Sequence, residues 1–195
     1  IPEVQRLAPQ MPLYIEENFT ETLRTKLRTG ELDAAILALP FQEPDVLTRP
    51  VYDEPFMMLL PKAHPWAQKE EIDASTLPDT QLLLLGEGHC FRDQVLESCP
   101  TLNQSSQDQH TITEGSSLET IRMMVASGLG SSVLPLSAVT NPHYRSEMVV
   151  TRPFISPQPV RTVAVAWRAS FPRPQAIEAL VNAISRCQIL DSSAA

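Results

Sequence analysis

Two cysteines, Cys90 and Cys99, lie nine residues apart in a segment whose composition favours redox chemistry. Cys90 belongs to Gly86-Glu-Gly-His-Cys-Phe-Arg-Asp-Gln94, between a short apolar run and a stretch that we predict to be a helix. A helix N-terminus stabilises an anion, and His89 and Arg92 can add cationic donors there. The sequence therefore predicts that Cys90 is a nucleophilic cysteine that ionises readily.

The spacing of the two cysteines couples any bond between them to the intervening helix. Nine residues of helix separate two Cα atoms by about 13 Å, whereas a disulfide bridges at most about 7 Å. A Cys90–Cys99 bond would therefore require the helix predicted over residues 92–98 to unwind. Pro100 disfavours the helical conformation at Cys99, and the polar run 103–110 contains no apolar residue to anchor it. This pattern is typical of a conformational switch.

Helical and strand-like segments alternate along the chain, which predicts an α/β fold with parallel pairing. A capping box, Ser116 to Glu119, is expected to start a helix that ends at Gly128. The other predicted elements are a βαβ unit (strand 12–16, helix 20–28 ended by Gly30, strand 34–39), a buried strand 81–85, a crossover at 53–55 and a return strand 160–167.

Three features resemble the LysR-type transcriptional regulators that sense hydrogen peroxide: the string Gly88-His-Cys-Phe-Arg-Asp-Gln94, the nine-residue cysteine spacing, and Ser117-Leu-Glu-Thr-Ile-Arg122 followed by Met124-Val-Ala-Ser-Gly128. The likeness covers essentially the whole chain. It implies two Rossmann-like subdomains joined by two crossover strands, as in periplasmic binding proteins. Subdomain I would comprise residues 1–54 and 162–195, and subdomain II, with the redox cysteines, residues 55–161. The resemblance also implies that a parallel strand and a turn, which carries a threonine of the peroxide pocket, precede Ile1.

A mechanism and a set of partners follow from the resemblance. Hydrogen peroxide oxidises Cys90 to a sulfenic acid, Cys99 resolves it to a Cys90–Cys99 disulfide, and the new conformation activates oxidative-stress genes. Regulatory domains form a homodimer through the helices that start near Thr20 and Ser117. The full-length protein is a homotetramer that binds DNA through a separate N-terminal winged helix-turn-helix and recruits RNA polymerase. No cofactor is implied, and the expected location is the cytoplasm.

The resemblance assigns four further residues to the peroxide pocket. His89 stabilises the thiolate or passes a proton, and Asp93 orients the pocket. Thr20 holds the peroxide, and Arg161 polarises it across the subdomain boundary. From the residues alone, Thr20 is nearly as well explained as a helix N-cap, Arg161 as a surface charge beside a strand, and His89 as a solvated turn residue.

Composition excludes several classes of function. A net charge of −8 and a pI near 5.0, without a Lys/Arg cluster, argue against DNA binding by this chain itself. Its apolar runs are far shorter than the roughly 20 residues that span a bilayer, so no membrane contact is expected. The remaining histidines, His64, His110 and His143, lack metal-ligand spacing, and we predict no metal site. Cys187, in a predicted C-terminal amphipathic helix, is expected to be buried and inert.

Two other functions remain open from the sequence. A thiol-dependent enzyme would use Cys90 as nucleophile and His89 as base, although side chains of neighbouring residues seldom converge. A LysR-type domain could instead bind a small organic effector in the cleft between its subdomains, without cysteine chemistry. The cysteine pair and its surroundings favour the peroxide sensor over both.

Overall fold

The computed structural model describes residues 1–104, 112–140 and 147–187. The chain divides into two compact units, one formed by residues 1–53 with 161–195 and the other by residues 54–160. The first boundary falls within strand β2 (Val46–Pro61), and the second falls after the first residue of strand β7 (Val160–Arg168). Two strands thus carry the chain from one unit into the other.

The first unit packs helices on a short antiparallel strand pair. Its elements are α1 (Pro2–Leu7), α2 (Thr20–Thr29), β1 (Ala34–Ala38), most of β7 and α7 (Pro174–Ser185). β1 pairs antiparallel with β7, with Ala34 opposite Trp167. Helix α2 ends as predicted at Gly30, whose φ of +86° is a left-handed conformation that glycine adopts without steric cost. Leu27 of α2 is fully buried and packs with Ala35 and Ala166.

Three predictions in the first unit are wrong. Residues 12–16 form no ladder with any described residue, so the predicted strand and its βαβ unit are not formed here. Their alternating pattern provides an apolar face, but a strand also needs a partner for its backbone groups. Helix α2 is capped at Phe19, not at Thr20, which is its first residue. Cys187 lies beyond the end of α7 and is exposed.

The second unit contains a mixed five-stranded sheet in the order β6–β2–β5–β3–β4. Besides β2, its strands are β3 (Leu82–Leu85), β4 (Ile112–Gly115), β5 (Ser131–Pro135) and β6 (Val149–Pro153). β3 runs parallel to β4 and to β5, whereas β2 is antiparallel to β5 and to β6. The helices are α3 (Cys90–Ser98), α4 (Thr101–Gln104), α5 (Leu118–Ala126) and α6 (Leu136–Thr140), with 3₁₀ turns at Pro65–Gln68 and Ala74–Asp79. The α/β class is confirmed, although only part of the pairing is parallel.

The core of the second unit is built around β3. All four of its leucines are buried, as the continuous apolar run predicts for a central parallel strand. Phe91 of α3 meets Phe56 of β2 edge to face, with ring centroids 5.4 Å apart. Val95, one turn further along α3, is fully buried in the same cluster. One face of α3 is therefore fixed to the sheet while the opposite face is exposed.

The predicted capping box is wrong by one residue. Ser117 is the N-cap of α5, and its hydroxyl accepts a hydrogen bond from the backbone N–H of Thr120 at 3.1 Å. The third helical residue is consequently Thr120, so Glu119 cannot complete the reciprocal pair with Ser116. The helix itself is confirmed, and it ends just before Gly128.

Candidate redox site

Cys90 is the first residue of α3 and is exposed. The chain leaves β3 at Leu85, turns through Gly88, whose φ is +89°, and enters the helix at the N-cap His89. The first N–H groups of a helix have no partner within it and form the positive end of the helix dipole. This is the anion-stabilising position that the sequence predicted for Cys90, and the thiol is free.

Cys99 occupies the opposite end of the same helix in a contrasting environment. It is the C-cap of α3, has a non-helical backbone (φ −124°, ψ 71°) as Pro100 requires, and is 1% exposed. Burial raises the pKa of its thiol to about 11, because the thiolate would lose its hydration. The helix between the two cysteines is intact, so the described state is the reduced one, with their Cα atoms about 13 Å apart by helix geometry.

Arg92 attaches the start of α3 to the sheet. Its guanidinium donates a hydrogen bond to the carbonyl oxygen of Leu85 at 2.9 Å and forms an ion pair with Glu114 of β4 at 3.0 Å. Arg92 is thus a tether that holds the start of α3 to the sheet. Glu114 was missed by the sequence analysis, because its contact with Arg92 depends on the pairing of two strands far apart in the chain.

The residues after Cys99 are held more firmly than predicted. Thr101 to Gln104 form the short helix α4, and Leu102 is buried in the core of the unit. The hydroxyl of Thr101 also donates to the carbonyl oxygen of Ala74 at 3.3 Å. The expected loose segment therefore cannot begin before this helix ends, and residues 105–111 lie outside the described part of the chain.

The predicted pocket residues fall into two groups. His89 is half-buried and Asp93 is exposed, and both flank Cys90 at the N-terminus of α3, where the carboxylate of Asp93 also suits the helix dipole. Thr20, the first residue of α2, and Arg161, the second residue of β7, belong to the other unit, and both are half-buried. The grouping of all these residues in one pocket stays a prediction.

The described residues contain neither a metal-binding cluster nor a membrane-spanning helix. No group of three or more His, Cys, Asp or Glu side chains there could hold a metal ion. His110 and His143 lie outside the described ranges. Among the described helices, none has both the length and the apolar character needed to cross a bilayer.

Comparisons with known proteins agree on one family. The profile of the LysR substrate binding domain matches residues 1–188. The DNA-binding transcriptional dual regulator OxyR of Escherichia coli K12 is 36% identical over 184 residues, which cover 94% of this chain and 59% of that protein. A Mycobacterium avium protein named as a probable hydrogen peroxide-inducible genes activator is 38% identical over 176 residues, or 90% of this chain and 56% of the relative. The chain thus spans less than two thirds of these relatives.

A solved structure gives the same result at higher identity. The reduced form of the OxyR regulatory domain from Pseudomonas aeruginosa is 64% identical to this chain and superposes with a TM-score of 0.85. The match covers 95% of this chain and 88% of that domain. At 64% identity, the two chains share most of their sequence as well as their fold.

Proposed function

We propose, given that this chain belongs to the LysR substrate binding domain family, that it is the regulatory domain of a transcription factor that senses hydrogen peroxide. One observation carries the proposal. A single helix has an exposed thiol at its anion-stabilising end, Cys90, and a buried, protonated thiol at its other end, Cys99. The first thiol can react with an oxidant, and the second is withheld until the helix opens.

The chemistry takes place in two steps. The Cys90 thiolate attacks one oxygen of hydrogen peroxide, an S–O bond forms, the O–O bond breaks, and the departing hydroxide takes up a proton to become water. Cys99 then attacks the sulfur of the Cys90 sulfenic acid, so that the S–S bond forms as the S–O bond breaks. The second hydroxide takes up the proton of the Cys99 thiol. In sum, two thiols and one peroxide give one disulfide and two waters.

The second step requires a change of fold. A disulfide cannot span the intact α3, so several of its backbone hydrogen bonds must break and Cys99 must leave the core. The Arg92 tether and the buried Val95 oppose this opening in the reduced state. The disulfide then prevents the helix from re-forming, and the domain keeps its new conformation until it is reduced.

The remaining site residues assist the first step in this proposal. His89 stabilises the thiolate or supplies the proton to the leaving hydroxide, and Asp93 orients the pocket. Thr20 and Arg161 hold and polarise the peroxide from the other unit. Their assignment rests on the family resemblance and on their positions at the ends of α2 and β7.

The wider assembly also belongs to the proposal. We infer that the domain forms a homodimer through α2 and α5, within a homotetrameric full-length regulator that binds DNA through a separate winged helix-turn-helix and contacts RNA polymerase. Oxidation of α3 would rearrange the dimer and so activate oxidative-stress genes. A reducing cytoplasm would return both cysteines to the thiol state.

Peptide mapping by mass spectrometry after one equivalent of peroxide tests the proposal. The wild-type chain should lose two hydrogens and give a Cys90–Cys99 cross-linked peptide. Cys99→Ser should instead gain one oxygen at Cys90, whereas Cys90→Ser should remain unmodified. Cys187→Ser should behave as wild type. A bond that involves Cys187, or thiols that stay unreacted, would refute the proposed sensor.

A further inference from the structure

Gln94 has a buried side-chain oxygen that receives no hydrogen bond from the described residues. It is four residues after Cys90 on α3, so the two side chains lie on the same face of the helix. Its Oε1 is inaccessible to solvent and accepts no hydrogen bond from any residue that the structure describes. Such an atom has lost water without gaining a protein partner, and in folded proteins this requires an explanation.

The position of Gln94 limits which donor could satisfy it. Long side chains in a helix extend toward its N-terminus and cover the preceding turn, which here consists of Cys90 and Phe91. Phe91 has no polar side-chain atom. Cys90 has the only side-chain hydrogen-bonding group of that pair, and its thiol makes no hydrogen bond to Gln94 in the reduced state.

Oxidation changes what Cys90 can reach. A sulfenic acid places an oxygen and its hydrogen one S–O bond beyond the sulfur, and its O–H is a stronger donor than a thiol S–H. One helical turn away lies the amide oxygen of Gln94, which has no donor among the described residues. The sulfenic acid can therefore supply the hydrogen-bond donor that the Gln94 oxygen lacks in the reduced state.

We propose that Gln94 is a positioning residue that accepts a hydrogen bond from the O–H of the Cys90 sulfenic acid; the inference rests on the proposed function. This bond holds the sulfenic acid against the folded helix before Cys99 arrives. An O–H that donates a hydrogen bond leaves more negative charge on its oxygen, so that oxygen departs less readily as hydroxide. Gln94 thus lengthens the life of the intermediate and delays its capture by any nucleophile.

The test uses the Cys99→Ser chain, in which the Cys90–Cys99 disulfide cannot form and helix opening is not required. After peroxide treatment, the sulfenic acid is captured by a cyclic 1,3-diketone, whose carbon attacks the Cys90 sulfur and displaces hydroxide. Gln94→Met, which keeps the length and helix propensity but loses the acceptor, should accelerate capture about fivefold, as the loss of one ordinary hydrogen bond predicts. Gln94→Glu, which retains an acceptor, should capture no faster than the parent.

Controls separate this inference from the function on which it rests. Glu97→Gln, an exposed change on the same helix, should leave capture unchanged, and circular dichroism should show equal helix content in all variants. Equal capture rates in the parent and Gln94→Met would overturn the role of Gln94 while leaving the sensor intact. The absence of any diketone adduct in the parent would overturn both.

Discussion

Cys90 and Cys99 differ in exposure more than any sequence pattern could have indicated. The Cys90 thiol, which reacts with peroxide in the proposed mechanism, is exposed, whereas the Cys99 thiol, which reacts second, lies within the core. At pH 8, raising the pKa of a thiol from 9.0 to about 11 lowers its thiolate fraction about a hundredfold. The fold therefore keeps the Cys99 thiol unreactive for as long as it stays buried.

Alkylation rates measure this protection directly. With iodoacetamide at pH 8, Cys99 in the folded, reduced domain should react at least about 100-fold more slowly than Cys99 in the chain unfolded by guanidinium. Cys90 in the folded domain should be labelled first. Peptide-resolved mass spectrometry gives both rates, and similar rates for Cys99 in the folded and unfolded chains would contradict its burial.

His64 predicts how the stability of the domain depends on pH. Its Nδ1 accepts a hydrogen bond from the backbone N–H of Trp66 at 3.1 Å, so a proton cannot be added there without losing that bond. Burial, with the nearby charge of Lys69, lowers the pKa of the imidazole below its ordinary 6.5. As pH falls, the His64 imidazole is therefore protonated at a higher pH in the unfolded chain than in the folded domain. The contribution to stability is complete above pH 6.5 and is lost as pH falls through the lower, folded pKa.

Urea unfolding at pH 7.5 and 5.5 tests the sign of this effect. Wild type should lose more stability on acidification than His64→Asn, which keeps an acceptor for the N–H of Trp66 but does not titrate. Comparing the two proteins cancels the contributions of the carboxyl groups. An identical loss in both would show that His64 is not the group responsible.

Helix α3 is the element on which the account depends, and Glu114 should control how easily it opens. Glu114→Gln removes the charge that holds Arg92, at a cost of about 0.5–1 kcal/mol for a partly exposed pair. If opening precedes disulfide formation, the disulfide should form roughly two- to fivefold faster after peroxide, as followed by rapid quenching with acid. Glu71→Gln, an exposed carboxylate outside α3, is the matched control. An unchanged rate in Glu114→Gln would mean that the tether does not limit opening.

Gly130 should be essential for the pairing of β3 and β5. A Cβ atom at this position would lie 2.6 Å from the backbone carbonyl oxygen of Gln81, which cannot move without disturbing the strand. Gly130→Ala should therefore destabilise the domain by about 1–3 kcal/mol in urea unfolding. Gly86→Ala is the comparison, because its Cβ would meet its nearest neighbour at 3.5 Å, an ordinary contact. Equal stability of the two variants would contradict the close approach.

Local sequence patterns predicted those elements that are determined by interactions between neighbouring residues. The buried strand β3, a helix N-terminus close to Cys90 and the end of α2 at Gly30 follow from an apolar run, a break and a C′ glycine. Helix α3 begins at Cys90, two residues before the predicted start at Arg92. The Arg92–Glu114 pair could not be predicted, because it depends on which strands become neighbours. The strand predicted at 12–16 is wrong for the same reason, because a strand needs a pairing partner and that pairing involves residues far apart in the chain.

At the scale of the whole molecule, the two units divide the predicted site. Cys90 and Cys99 belong to the second unit, whereas Thr20 and Arg161 belong to the first. The redox pair and its helix are contained in one unit, so the disulfide chemistry needs no residue from the other. We therefore expect substitutions of Thr20 and Arg161 to change the rate of the first oxidation but not the identity of the disulfide.

Hydrogen–deuterium exchange of residues 90–99, in the reduced and the peroxide-treated domain, shows whether disulfide formation opens α3. The α3 amides should exchange slowly in the reduced state and rapidly once the Cys90–Cys99 bond has formed, because the bond and the helix exclude each other. A domain that forms this disulfide while α3 remains protected would contradict the account.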